Sequence, residues 1–144
     1  MQLAIERLHN LIPLKDVISK YGLSAKKSLG QHFLLDKNLN DRIVRSALDK
    51  NIDLSNYTVI EIGPGPGGLT RSILDQNPNE LIAIEKDTRC IRAIEDLQAD
   101  YKNKIEIKSL NALDLDISNL GTKPIQIIAN LPYNIAAPLL IKWL

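Results

Sequence analysis

Two short stretches of this 144-residue chain carry side chains suited to chemistry, and they complement each other. One is Asn130-Leu131-Pro132-Tyr133, near the end of the sequence. An amide, a proline turn and an aromatic ring side by side suit the gripping of a planar nitrogen heterocycle. The exocyclic amine of adenine is a poor nucleophile, because its lone pair is delocalised into the ring. The Asn130 side-chain oxygen and the backbone carbonyl of Leu131 can accept both N–H bonds of that amine and localise the lone pair. Pro132 makes the turn, and Tyr133 offers a face on which a flipped-out base can stack. Catalysis of this kind is positioning and electrostatics and needs no metal. On its own, the tetrapeptide fits a proline turn with a core tyrosine just as well.

The second stretch is Val59-Ile60-Glu61-Ile62-Gly63-Pro64-Gly65-Pro66-Gly67-Gly68. It reads as a strand running into a glycine loop and then a helix, with Gly63, Gly65 and Gly68 spaced as G-x-G-x-x-G. Glycine lets backbone approach a ligand closely. Glu85 ends the next strand, where an acid accepts hydrogen bonds from ribose hydroxyls. A ribose-bearing cofactor follows. A dinucleotide would set its pyrophosphate on the helix N-terminus. Against it, Pro64 and Pro66 remove two N–H donors from the loop, and Glu61 adds negative charge. That charge favours a cationic sulfonium or amino group. The two stretches together point to methyl transfer from S-adenosylmethionine to a base nitrogen; an NAD-binding oxidoreductase is the alternative on the loop alone.

These groups need elements to hold them. Pro13 can open a short helix over Leu14–Tyr21, closed by Gly22. Residues 23–35 read as irregular. Asp36 caps a helix to about Leu48, with Leu39, Ile43, Val44, Ala47 and Leu48 on its apolar face. From residue 57 strands and helices alternate. Strands are expected at Thr58–Ile62, Leu81–Glu85, Ile105–Leu110 and Ile125–Ala129. Helices are expected at Gly67–Asp75, from Asp87 or Thr88 to about Ala99, and at Ala136–Leu144. In the middle helix Ile91, Ile94 and Leu97 point inward. The alternation implies an α/β fold, a parallel sheet with helices on its faces. Two segments are expected: 1–50, helical and basic, and 51–144, the sheet. The last residues are apolar and stop within an element, so a fragment of a longer protein is expected, with a modest core.

Composition bounds the rest. Net charge is +1, so no global basic field announces nucleic acid. Residues 1–50 hold nine Lys/Arg against five Asp/Glu, which fits an RNA-facing segment and fits a solvated surface too. One cysteine, Cys90, excludes an internal disulfide and reads as a core filler in a helix. The two histidines, His9 and His32, lack cysteine companions, so no metal site is expected. No apolar run reaches membrane-spanning length, and the first residues lack a signal-peptide pattern. The expectation is a cytoplasmic monomer.

Taken in order along the chain, four motifs resemble those of the ribosomal RNA adenine dimethyltransferase family. They are Lys27-Ser28-Leu29-Gly30-Gln31-His32-Phe33-Leu34-Leu35-Asp36, Glu61–Gly67, Ile84-Glu85-Lys86-Asp87 and Asn130-Leu131-Pro132-Tyr133-Asn134-Ile135. The resemblance implies a class I S-adenosylmethionine-dependent, Rossmann-like methyltransferase fold, here carried through about four parallel strands. It implies S-adenosylmethionine as methyl donor and dimethylation of N6 on two adjacent adenines near the 3′ end of small-subunit (16S) ribosomal RNA, free or in a pre-30S subunit. It places Gln31, His32 and Leu34 in a cofactor-covering segment, with Glu61, Gly63 and Gly65 at the cofactor and Glu85 on its ribose. Asn111 falls at the cofactor's adenine, Asn130 between cofactor and substrate, and Tyr133 on the target adenine. Two positions depart from the family pattern. Asn111 stands where the family has aspartate, which predicts weaker cofactor binding; Asp114 is the less favoured substitute. Ala136 stands where Ser or Thr is common. The family's further strands and small helical domain are not in this sequence, so these 144 residues alone are not expected to methylate RNA. Two other readings are a large-subunit RNA methyltransferase of the antibiotic-resistance type and a non-catalytic RNA-binding assembly factor.

Overall fold

The computed structural model describes residues 11–24, 33–48, 51–101, 105–121 and 124–144. Its frame is a four-stranded sheet: β1 (Thr58–Ile62), β2 (Glu80–Glu85), β3 (Ile105–Ser109) and β4 (Ile125–Ile127). The spatial order is β3-β2-β1-β4, and every pairing is parallel. Around it stand α1 (Leu14–Lys20), α2 (Lys37–Ala47), α3 (Gly68–Leu74), α4 (Thr88–Asp100) and α5 (Tyr133–Trp143).

Strand alternation explains the two layers of core. Successive side chains in a strand point to opposite faces. Val59, Leu81 and Ala83 therefore meet Leu69, Ile73, Ile94 and Leu97 from α3 and α4, with Val44 of α2 in the same cluster. Ile60, Ile62, Ile82 and Ile84 face the other way, toward Ala112, Leu115 and Leu139. The central strand β1 is buried along its whole length, as a parallel strand covered on both faces must be. Ile73 is fully buried between α3 and the sheet. Ile73→Ala should cost about 2–5 kcal/mol of unfolding free energy, measurable by urea denaturation.

Local signals set the helix starts. The Asp36 carboxylate accepts from the backbone N–H groups of Asn38 and Leu39, and Asp87 caps α4 by accepting from Arg89 N. Gly67 precedes α3 with φ +97, and a Cβ there would crowd Leu97 and Ile94 at 3.0 and 3.1 Å. Only glycine lets the loop settle this closely onto α4.

Three details differ from the sequence-based expectation. The inward face of α4 is Cys90, Ala93, Ile94 and Leu97, while Ile91 is half-buried. The fourth strand ends at Ile127 instead of Ala129, and among the described residues two short 3₁₀ turns, Ala112–Asp114 and Ile117–Asn119, lie between β3 and β4. The last helix begins at Tyr133, three residues earlier than expected, with Pro132 just before it. A proline fits a helix start, because its missing N–H would be unpaired there anyway. Gln31 and His32 lie outside the described residues.

Candidate active site

In a parallel sheet all the carboxyl ends point one way. Here the chain steps outward from β1 to β2 to β3, then returns to the other side of β1 as β4. That reversal opens a crevice above the strand ends, the place where open α/β sheets bind ligands. The main cleft lies there. It is lined by Gly63 and Gly65 after β1, Glu85 at the end of β2, Asn111 after β3, and Asn130 with Pro132 after β4. Sequence-predicted residues from four separate strands thus meet in one place.

Among the described residues, Glu85 is held by backbone N–H groups alone. One carboxylate oxygen accepts from Lys86 N at 2.9 Å and Asp87 N at 3.0 Å; the other accepts weakly from Gly65 N at 3.4 Å. The second oxygen keeps acceptor capacity toward the cleft, which suits a vicinal diol. Asn111 caps the turn after β3, its Oδ1 accepting from Leu113 N at 3.0 Å. Asp114, three residues on, does not line the cleft.

A smaller cleft adjoins the first and shares Phe33, Gly63, Gly65 and Asn130 with it. Leu34 and Glu61 line this second cleft. Glu61 projects from the α3 side of β1 and is 1 % exposed. Its carboxylate accepts from Thr70 Oγ1 at 2.7 Å. Burial pushes its pKa up to about 8, partly offset by the Thr70 bond and reinforced by the charge of Glu85. The expected negative charge is therefore largely a neutral carboxyl at pH 7 in the ligand-free protein. A cation seated beside it would draw the proton off.

Tyr133 stands apart. It is 69 % exposed, at the first turn of α5, and lines neither cleft. Its ring is open to a planar group arriving from solvent. Leu131 packs into the second core layer and anchors the segment between β4 and α5.

Several lining residues had no role in the sequence reading. Phe33 was visible only as part of a motif; its ring borders both clefts and sits over Gly65, 3.4 Å from where a Cβ would be. Arg89 binds Asp87 through Nε and Nη2 and donates from Nη1 to the Gly22 carbonyl at 2.9 Å. This holds the Asp87 carboxyl below its usual range and fixes the Gly22–Leu23 backbone beside the cleft. Cys90 also borders the cleft, but burial pushes its thiol up to about 12, so it is no nucleophile at neutral pH. Among the described residues, no group of three or more His, Cys, Asp or Glu could hold a metal ion. No described helix is long and apolar enough to cross a membrane.

The parallel sheet and the ligand crevice at its switch point define an α/β fold of the class I methyltransferase type. Solved structures agree: a dimethyladenosine transferase from Plasmodium falciparum aligns with a TM-score of 0.60 at 30% identity, over 77% of this chain and 38% of that one. The 23S rRNA methyltransferase ErmE aligns at 0.63 over 78% of this chain and 42% of that one; at 24% identity it speaks to fold alone. Residues 22–144 match the family described as ribosomal RNA adenine dimethylase, and the chain belongs to that family. It is 48% identical over 137 residues to the ribosomal RNA small subunit methyltransferase A of Sinorhizobium fredii, covering 95% of this chain and 45% of the relative. The protein of that name from Paramagnetospirillum magneticum is 49% identical over 135 residues, covering 94% and 47%. The chain spans about half the length of these curated relatives.

Proposed function

We propose that this protein is the cofactor-binding and catalytic part of an S-adenosylmethionine-dependent methyltransferase that dimethylates N6 of two adjacent adenines near the 3′ end of small-subunit ribosomal RNA. The observation that carries the reading is the meeting of Gly63, Gly65, Glu85, Asn111 and Asn130 in one crevice. The names of the relatives near 48% identity favour the small-subunit RNA over the large. The site of action would be the cytoplasm, on the RNA or a pre-30S particle, with the protein acting as a monomer. Residues 1–50 would form the covering segment and 51–144 the sheet domain.

The residues suit the cofactor on their own chemistry. Glu85, already fixed by backbone N–H groups, would accept the ribose hydroxyls. Asn111 would accept from the adenine amine. The loop's prolines leave few donors for a phosphate, and Glu61 can ionise to meet a positive charge. Bound there, S-adenosylmethionine supplies a methyl group already activated on a sulfonium. Asn130 would accept from the target amine and orient its lone pair. Tyr133 would stack on the extruded base, and water would take the proton after transfer.

A binding isotherm tests the cofactor, and mass analysis of RNA from an undermethylated small subunit tests the product. Micromolar binding of S-adenosylmethionine is expected, as is formation of N6,N6-dimethyladenosine by the protein as expressed from its own gene; preference for NAD would overturn the reading. Asn111→Asp supplies a finer check. A carboxylate there can keep the bond from Leu113 N and offer a charged oxygen to the adenine amine. Cofactor affinity should rise about three- to tenfold, since charge-assisted hydrogen bonds are stronger.

A further inference from the structure

We infer that Asn40 is a positioning residue for the cofactor cleft: its buried amide fastens the Leu34 carbonyl, and with it Phe33 and Leu34, against the start of the glycine helix. The role assigned to the cleft rests on the function proposed above.

Asn40 lies on the inner face of α2 and is 1 % exposed. Its Nδ2 donates to the Leu34 carbonyl at 3.0 Å. Its Oδ1 is buried with no partner among the described residues. Only the donor half of the side chain is used. Packing alone does not ask for this amide, since an apolar side chain would bury no unpaired oxygen. The Leu34 carbonyl does ask for it.

Gly68 supports the same contact from the other side. A Cβ on Gly68 would overlap the Leu34 carbonyl oxygen and lie 3.0 Å from Asn40 Nδ2. The bare backbone of the first α3 residue makes the room in which amide and carbonyl meet. Three separate segments converge on one hydrogen bond.

What the bond positions is the wall of the site. Phe33 borders both clefts, and Leu34 borders the smaller one beside Glu61 and Asn130. Without its donor, the Leu34 carbonyl gains by turning to water, and residues 33–35 sample other positions. Binding must then select the seated form, so affinity falls by the seated fraction.

The test is Asn40→Ala in the protein as expressed from its own gene. Thermal unfolding, affinity for S-adenosylmethionine and the carbonyl carbon chemical shift of Leu34 are measured. A merely structural Asn40 predicts a lower melting temperature with native affinity. A positioning role predicts affinity weaker by about three- to tenfold and a Leu34 carbonyl shift moved off its native position. Asn40→Leu fills the space without a donor and should give the same loss and the same shift. It decides the matter if Asn40→Ala does not fold. Native affinity and a native Leu34 shift in the folded variants would overturn the inference. Failure of the unsubstituted protein to bind S-adenosylmethionine would instead overturn the proposed function, and the Leu34 shift would still test the Asn40 bond.

Discussion

On the proposed function, Asn130→Ala in the protein as expressed from its own gene should lower the rate of methyl transfer to ribosomal RNA by about 10²–10³-fold, the usual cost of removing one group that acts on the transition state. Affinity for S-adenosylmethionine should change by no more than about threefold, because one side chain among several lining groups contributes little uniform binding. The split follows from where Asn130 sits. It borders both clefts, at the end of the segment leaving β4. The glycine loop and Glu85 follow β1 and β2, separate strands from the one that carries Asn130. Single-turnover kinetics with saturating cofactor separate the two effects. Near-native turnover would remove Asn130 from the chemistry, and equal losses in binding and rate would make it a cofactor ligand only.

The second large effect concerns Glu61 and pH. Its ordinary pKa is 4.5, and burial raises it to about 8 in the folded chain. Between these values the native state holds a proton that the unfolded chain has released. Stability therefore falls as pH rises from about 4.5 through 8, and is fullest below that window. At 1.36 kcal/mol per pKa unit the loss is on the order of 5 kcal/mol, a large share of a small domain's stability. Glu61→Gln keeps the shape and removes the titration. Urea unfolding at pH 5 and pH 8.5 should show a steep decline for the native chain and a shallow one for the variant. A parallel pH dependence in both would show that Glu61 ionises normally. The same linkage implies that a sulfonium bound nearby favours the ionised form, so cofactor binding near neutral pH should release a proton.

Much of this arrangement was visible in the residues. β1 matches its β-branched run residue for residue, and Asp36 and Asp87 mark their helix starts as caps. The loop and Glu85 were legible because their chemistry is local: glycines, a strand end and an acid at a set spacing. Other parts depend on neighbours far along the chain. Asn40 reads as a polar position on an amphipathic helix, and nothing near it announces burial. Its environment is made by Gly68 and Leu34, which meet it only in three dimensions. Glu61 was recognisable as an acid within a strand. Its protonation state was not, because Thr70 and the cover of α3 set it. Pro132 reads as a breaker, yet it stands at a helix start, where proline costs little.

The order of the strands also has a kinetic side. β1–β2 and β2–β3 join segments close in sequence, whereas Thr58 pairs with Ile125 across most of the sheet domain. Loop-closure entropy costs most for that ladder. Asn130 follows closely on β4, so this side of the crevice is expected to be completed late in folding. A ligand spanning both halves would act on folding as well as on chemistry, holding β4 in the sheet by mass action.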